Sequence, residues 1–128
     1  MRTWTLDLGE RPPLSLNGQR RNPYTHARMV KQFRRLAWAR ACEAKIPRVG
    51  RVAVELHYAP RDRRRRDALN LVATLKPVED GIVDAGVIPD DTAEFSQPTV
   101  PVIDEPTGQL GHLYVIVREL APGMATDA

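Results

Sequence analysis

Apolar side chains in this 128-residue chain recur with two different periods, and the alternation between them confines the fold more than any other feature. Trp4, Leu6 and Leu8 alternate with polar residues across Arg2 to Leu8, and Val52, Val54, Leu56 and Tyr58 alternate with Arg51, Glu55 and His57. A period of two is that of a half-buried strand. Elsewhere the period lengthens: Val30, Phe33, Ala37 and Ala41, then Leu71, Leu75, Val78, Ile82 and Val83, recur every three to four residues, as one face of an amphipathic helix does. Thr25 is the expected N-cap of a first helix running to about Lys45, and Asp67 that of a second ending at Gly86. Pro77 inside the second removes a backbone hydrogen bond and predicts a kink or a split. Two further strands are expected, one over Glu94 to Ile103 with Pro98 and Pro101 marking an edge, and one over His112 to Glu119. The expected fold is α+β: a small mixed β-sheet of about four strands with two main helices, forming one domain over residues 1–120 with a flexible tail over 121–128.

The length suffices for a hydrophobic core without disulfide or metal staples. The single cysteine, Cys42, has no partner for a bridge or a thiolate cage, which fits a reducing compartment and a buried or partly buried, inert thiol. No stretch approaches the roughly 20 apolar residues that cross a bilayer. The opening M-R-T-W-T-L-D-L also lacks a signal core, so a cytoplasmic protein without membrane contact is expected. No G-x-x-x-x-G-K-[ST] loop or G-x-S-x-G elbow occurs, so no nucleotide cofactor is expected. His26, His57 and His112 do not have metal-ligand spacing, and His57 reads as a surface residue.

The net charge of +3 conceals a polar division of the chain. Residues 1–66 carry 17 Lys/Arg against 5 Asp/Glu, and residues 67–128 carry 2 against 11, or +12 and −9. A basic half implies a polyanionic partner, and an acidic half is either a counter-surface or a source of metal ligands. On the first helix, Arg28, Lys31, Arg35, Trp38 and Lys45 follow a stripe that reads either as a solvated basic face or as a track for a DNA backbone. Tyr24 and Trp38 are expected to pack in the core, with stacking on opened bases as the alternative.

The two halves meet in R-D-R-R-R-R-D-A-L-N, Arg61 to Asn70, where arginines suited to phosphates abut a carboxylate. Asp80, Asp84 and the pair Asp90–Asp91 follow, an oxygen-donor set of the kind that holds Mg²⁺ or Mn²⁺. Singly each has an ordinary use, Asp67 as a helix cap and P-D-D as a turn. Together, R-R-R-R-D-x-x-N followed by K-P-V-E-D-G-I-V-D-A-G-V-I-P-D-D-T resembles the signature of the RusA family of Holliday-junction resolvases, densely over Arg61 to Glu94. P-P-L-S-L-N, with Asn17, is similar to that family's opening loop.

The resemblance implies an intimate homodimer that nicks opposing strands of four-way junction DNA symmetrically, with Mg²⁺ (or Mn²⁺), in DNA recombination and repair. It implies Asp67, Asp90 and Asp91 as catalytic acids with Lys76 beside them, and Asp67, Asp80, Asp90 and Asp91 as metal ligands. DNA contacts would come from Asn17, Arg20, Arg21, Arg61, Arg63, Arg64, Arg65, Arg66 and Asn70. Two departures stand out: the segment between Asn70 and Lys76 is longer than in the family, and Leu69 stands where a second aspartate is usual. Asp80 or Asp84 replaces that ligand, or the metal is held by fewer carboxylates and more water, or the protein binds junctions and cuts weakly or not at all. A straight helix over 68–85 would span about 27 Å, and residues 86–90 return at most about 15 Å. Either Pro77 bends that path, or Asp67 of one subunit joins Asp90 and Asp91 of the other.

Overall fold

The computed structural model describes residues 1–10, 13–14, 22–63, 66 and 68–121. Asn17, Arg20, Arg21, Arg64, Arg65, Asp67 and the tail over 122–128 lie outside the described residues. The elements run β1 (Thr3–Gly9), α1 (Pro23–Glu43), β2 (Arg51–Ala59), a 3-10 turn (Ala68–Leu71) leading into α2 (Val72–Asp84), β3 (Ser96–Gln97), β4 (Val102–Ile103) and β5 (His112–Leu120). The sheet has the order β1-β5-β2-β3, and β4 also pairs with β2. It is mixed: β5 is antiparallel to β1 and β2, and β3 and β4 are parallel to β2. This is the expected α+β class, with five strands instead of about four.

The extra strand has a simple cause. Pro98 and Pro101 have no N–H to give to a ladder, so the strand expected over 94–103 survives only as two short pieces along the edge of β2. Between them the Thr99 hydroxyl donates to the Val54 carbonyl at 2.6 Å, satisfying an acceptor that a proline-broken edge leaves open.

Register divides the sheet into two faces. Val115 of β5 lies opposite Leu6 of β1 and Leu56 of β2, and all three are buried beneath the helices. One residue along, Tyr114 lies opposite Asp7 and His57, which therefore line the other face, since strand side chains alternate. His57 is not the surface residue the sequence suggests: its side chain is 13% exposed, with Nδ1 3.2 Å from Asp104 and Nε2 3.3 Å from Glu55. It also stacks on Tyr114, whose hydroxyl donates to Asp104 and whose pKa is pushed up to about 12 by burial and that carboxylate.

Helix α1 begins earlier than its composition suggests. Asn22, not Thr25, is the N-cap: its side chain accepts from the Thr25 N–H at 3.1 Å, and Pro23 supplies the preset first helical residue. Phe33, Ala37 and Ala41 are buried as expected. Tyr24 and Trp38, by contrast, are 86% and 41% exposed and belong to the surface. Cys42 is likewise exposed, on the outer side of the last turn beside buried Ala41. In α2 the helix runs through Pro77 without dividing there; the change of helix type falls earlier, between Leu71 and Val72. The proline ring is itself buried with Leu75, Val78 and Ile82, and that burial offsets part of the lost hydrogen bond. Among the described residues no helix is long and apolar enough to cross a membrane.

The two helices meet at Gly81. A Cβ built there would lie 2.3 Å from the Arg34 carbonyl oxygen, 2.8 Å from the Ala37 Cβ and 2.9 Å from the Trp38 nitrogen. Two of these are backbone atoms of α1, which no rotamer change can move. The buried Thr74 hydroxyl ties α2 to the segment before α1, accepting from the Leu14 N–H at 2.7 Å. Gly81→Ala is therefore expected to destabilise the fold by about 2–3 kcal/mol, the upper range for overpacking a filled contact. An unchanged urea midpoint for that variant would show that the helices are not held at this distance.

Candidate active site

Burying Leu75, Val78 and Ile82 turns the remaining flank of α2 outward, and Lys76, Asp80 and Asp84 follow one another there at four-residue spacing. After the helix, Gly86 adopts φ +82°, a conformation that costs glycine little, and the chain reverses. Val87 and Ile88 anchor the return in the core, and the Val87 carbonyl accepts from the Val49 N–H at 2.9 Å. The Asp90–Asp91 pair is thereby carried back alongside α2.

There the Lys76 ammonium contacts the Asp91 carboxylate directly and lies 3.2 Å from Asp80 Oδ1. Asp90 Oδ1 accepts from the Asp91 N–H at 2.8 Å, fixing the turn that presents Asp91. From α1, Arg34 grips Asp84 at two points, 2.7 and 2.9 Å, and comes within 4.0 Å of Asp80. The result is a row of alternating charge, Asp84, Arg34, Asp80, Lys76 and Asp91, drawn from both helices and the returning loop.

Glu79 and Arg34 escaped the sequence reading. Glu79 sits behind Asp91 and Asp80, receiving a 3.4 Å hydrogen bond from the Ser96 hydroxyl. Burial, reinforced by the charge of Asp91, raises its pKa, while Lys76 pulls the other way. Asp91 moves oppositely: its hydrogen bond to Lys76 holds the carboxyl below its ordinary pKa, and the same bond raises the pKa of the ammonium, which keeps its proton further into the alkaline range. Asp84 is also lowered, by Arg34. The signal for Glu79 was its place three residues after Lys76, and for Arg34 its place between Lys31 and Arg35.

Of the residues singled out in the sequence, Lys76, Asp80 and Asp91 are thus brought together, with Asp90 adjacent. Asn70 and Leu69 are exposed in the 3-10 turn that precedes α2, Leu69 at 57%. The described arginines of the basic run lie in the loop after β2. Arg63 pairs with Glu105 at 2.9 Å, Arg66 with Asp62 at 3.1 Å, and Arg61 is exposed.

The donors suit a hard divalent cation in type, since they are all carboxylate oxygens. In number they do not close a cage: among the described residues no three His, Cys, Asp or Glu side chains are grouped to hold a metal ion. Lys76 shows that Asp91 and Asp80 can share one positive centre. A Mg²⁺ held by one or two of these carboxylates and otherwise by water is within the usual range for that ion.

Among known proteins, no family model and no curated relative matches this chain.

If Lys76 sets the ionisation of its neighbours, Lys76→Met is expected to move the titration of both Asp91 and Glu79 upward, since the ammonium lowers both. Carboxyl-carbon NMR titration of the variant against wild type reads this directly. Unmoved Asp91 and Glu79 midpoints would mean that the three groups do not form a unit.

Proposed function

We propose that this chain is a RusA-like endodeoxyribonuclease, which resolves four-way DNA junctions in the cytoplasm by nicking opposing strands with Mg²⁺ or Mn²⁺. The observation that carries the reading is the contact of Lys76 with both Asp91 and Asp80. Asp91, 15 positions after Lys76 in one sequence motif, thereby joins Lys76 and Asp80 in the charge pattern that phosphodiester hydrolysis uses. A homodimer would set two such sites about a twofold axis, as symmetric cutting requires.

A bound divalent cation would supply charge neutralisation at the scissile phosphate and a more acidic coordinated water. Asp91, ionised throughout the neutral range, would be its principal ligand, with Asp80 or Asp90 beside it and Asp67 added by the family resemblance. Lys76 stays protonated, so it serves as an electrostatic partner for the phosphate and as a proton donor toward the leaving oxygen. Arg34 fixes Asp80 and Asp84 from the neighbouring helix. Glu79, with its raised pKa, is the carboxyl near the site most ready to hold a proton. Arg61, Arg63, Arg64, Arg65 and Arg66, with Asn17, Arg20, Arg21 and Asn70, complete the proposed DNA-contacting set, positioning phosphates without reading sequence.

One observation favours a second reading, a junction-binding protein that cuts weakly or not at all. Leu69 offers an exposed apolar side chain where the family has an acid, and the described carboxylates are fewer than three at any one point. Cleavage of a synthetic four-way junction separates the two. On the nuclease reading, Asp91→Asn and Lys76→Met each lower Mg²⁺-dependent cleavage by about 10²–10³-fold while junction binding persists. Binding without cleavage by the wild-type chain would establish the binder instead.

A further inference from the structure

Beside the row of charge, at the C-terminal end of α2, lies an open pocket of about 420 Å³ lined by Lys31, Arg34, Arg35, Trp38 and Asp84. Its volume is within the range of small-ligand sites. Lys31, Arg35 and Trp38 stand at positions i, i+4 and i+7 of α1, so they form one continuous outward stripe. Trp38 keeps 41% of its surface exposed. The close approach of the helices at Gly81 leaves no room for an indole between them, which holds the ring at the pocket's edge.

The charges in the pocket are not equivalent. Arg34 and Asp84 satisfy each other through a two-point fork, so the one carboxylate in the wall is already neutralised. Lys31 and Arg35 have no acidic partner among the described residues, which leaves the pocket with a surplus of two positive charges next to an aromatic face. Cations that line one pocket with an exposed indole suit a ligand that has both a negative group and a flat π-surface. A nucleotide has both, whereas inorganic phosphate or an acidic peptide has only the first.

We propose that this pocket is a nucleotide subsite, which takes one unstacked nucleotide of the DNA with its base on Trp38 and its flanking phosphate on Lys31 and Arg35. The proposal deepens the nuclease reading and rests on it for the identity of the polymer as DNA. Arg34 joins pocket and cluster, because Asp84 in the wall is one turn of α2, about 6 Å, from Asp80 beside Lys76. Lys76 lies eight residues, about 12 Å, before Asp84 on α2, so a strand with one phosphate at Lys76 reaches the pocket one or two nucleotides away. At a four-way junction, where strands cross and pairing is interrupted, such an extruded base is cheapest to obtain.

The test uses the full chain and a short oligothymidylate, read by anisotropy of the labelled DNA and by quenching of tryptophan fluorescence, with inorganic phosphate as the comparison ligand. Trp38→Ala is expected to weaken oligonucleotide binding about tenfold, with Trp38→Phe restoring most of it, as stacking requires. Lys31→Gln and Arg35→Gln are each expected to weaken binding and to reduce the salt dependence by about one phosphate contact. Equal affinity of Trp38→Ala and wild type would overturn the subsite. So would equal quenching of Trp38 by phosphate and by oligonucleotide, which would leave an anion site without base stacking. Junction cleavage by wild type separates this from the parent reading. Cleavage with no effect of Trp38→Ala on binding removes the subsite alone. Trp38-dependent binding without cleavage removes the nuclease and keeps the subsite.

Discussion

The approach of two helix backbones at Gly81 is the constraint on which the rest of the molecule depends. With no Cβ at that position, the Arg34 carbonyl and the Trp38 nitrogen of α1 come against α2 at distances any other residue would forbid. That approach explains why α1 uses alanine at 37 on its buried face, where Phe33 is the one large side chain buried on that helix. It also sets the register in which Arg34 meets Asp84 and Asp80. A helix pair held wider by even a methyl group would lengthen bonds that now measure 2.7 and 2.9 Å.

From that contact the electrostatics follow in order. Arg34 neutralises Asp84 and steadies Asp80, Lys76 lies between Asp80 and Asp91, and half-buried Glu79 beside them holds its proton more tightly than usual. These pairs are partly exposed, so each contributes little to stability alone. Their value lies in placement: they hold carboxylates of like charge close together at the surface. The opposite face of the sheet carries a separate network, His57 with Asp104, Glu55 and Tyr114, and Arg118 with Glu55. His57, Glu55, Asp104, Tyr114 and Arg118 on the open sheet face are thus paired with one another, while Lys31 and Arg35 on the helix side have no acidic partner among the described residues.

Much of the fold was legible because period reports which face is buried: β1, β2, β5 and both helices lie where the alternation of Leu6 and Leu8, Val52 to Leu56, Phe33 to Ala41 and Leu71 to Ile82 places them. What failed was local. Asn22 outcompeted Thr25 as cap because Pro23 fixes the first helical residue, and period says nothing about caps. Pro98 and Pro101 shortened an edge strand into β3 and β4, and Tyr24, Trp38 and Cys42 proved exposed because hydrophobicity alone does not say which side of a helix is left over. The motif around Lys76 was legible as a pattern, and the structure brings Lys76, Asp80 and Asp91 together from positions that the chain length alone would have left apart. Glu79 and Arg34 had only a positional signal, beside Lys76 and between Lys31 and Arg35, because their roles come from a loop reversal at Gly86 and a helix crossing at Gly81 that spacing does not encode. Asp67 lies outside the described residues, so its expected place beside this group rests on the motif.

The most direct test of a cation-holding acidic site at the junction of α2 and the returning loop is an NMR titration of the amide-labelled protein with Mn²⁺. Paramagnetic broadening centred on residues 76–80 and 90–91, reversed by excess Mg²⁺ and weakened in Asp91→Asn, is the expected result. Broadening centred instead on Asp7, His112 and Asp104 across the sheet, or spread evenly over the acidic half of the chain, would contradict it.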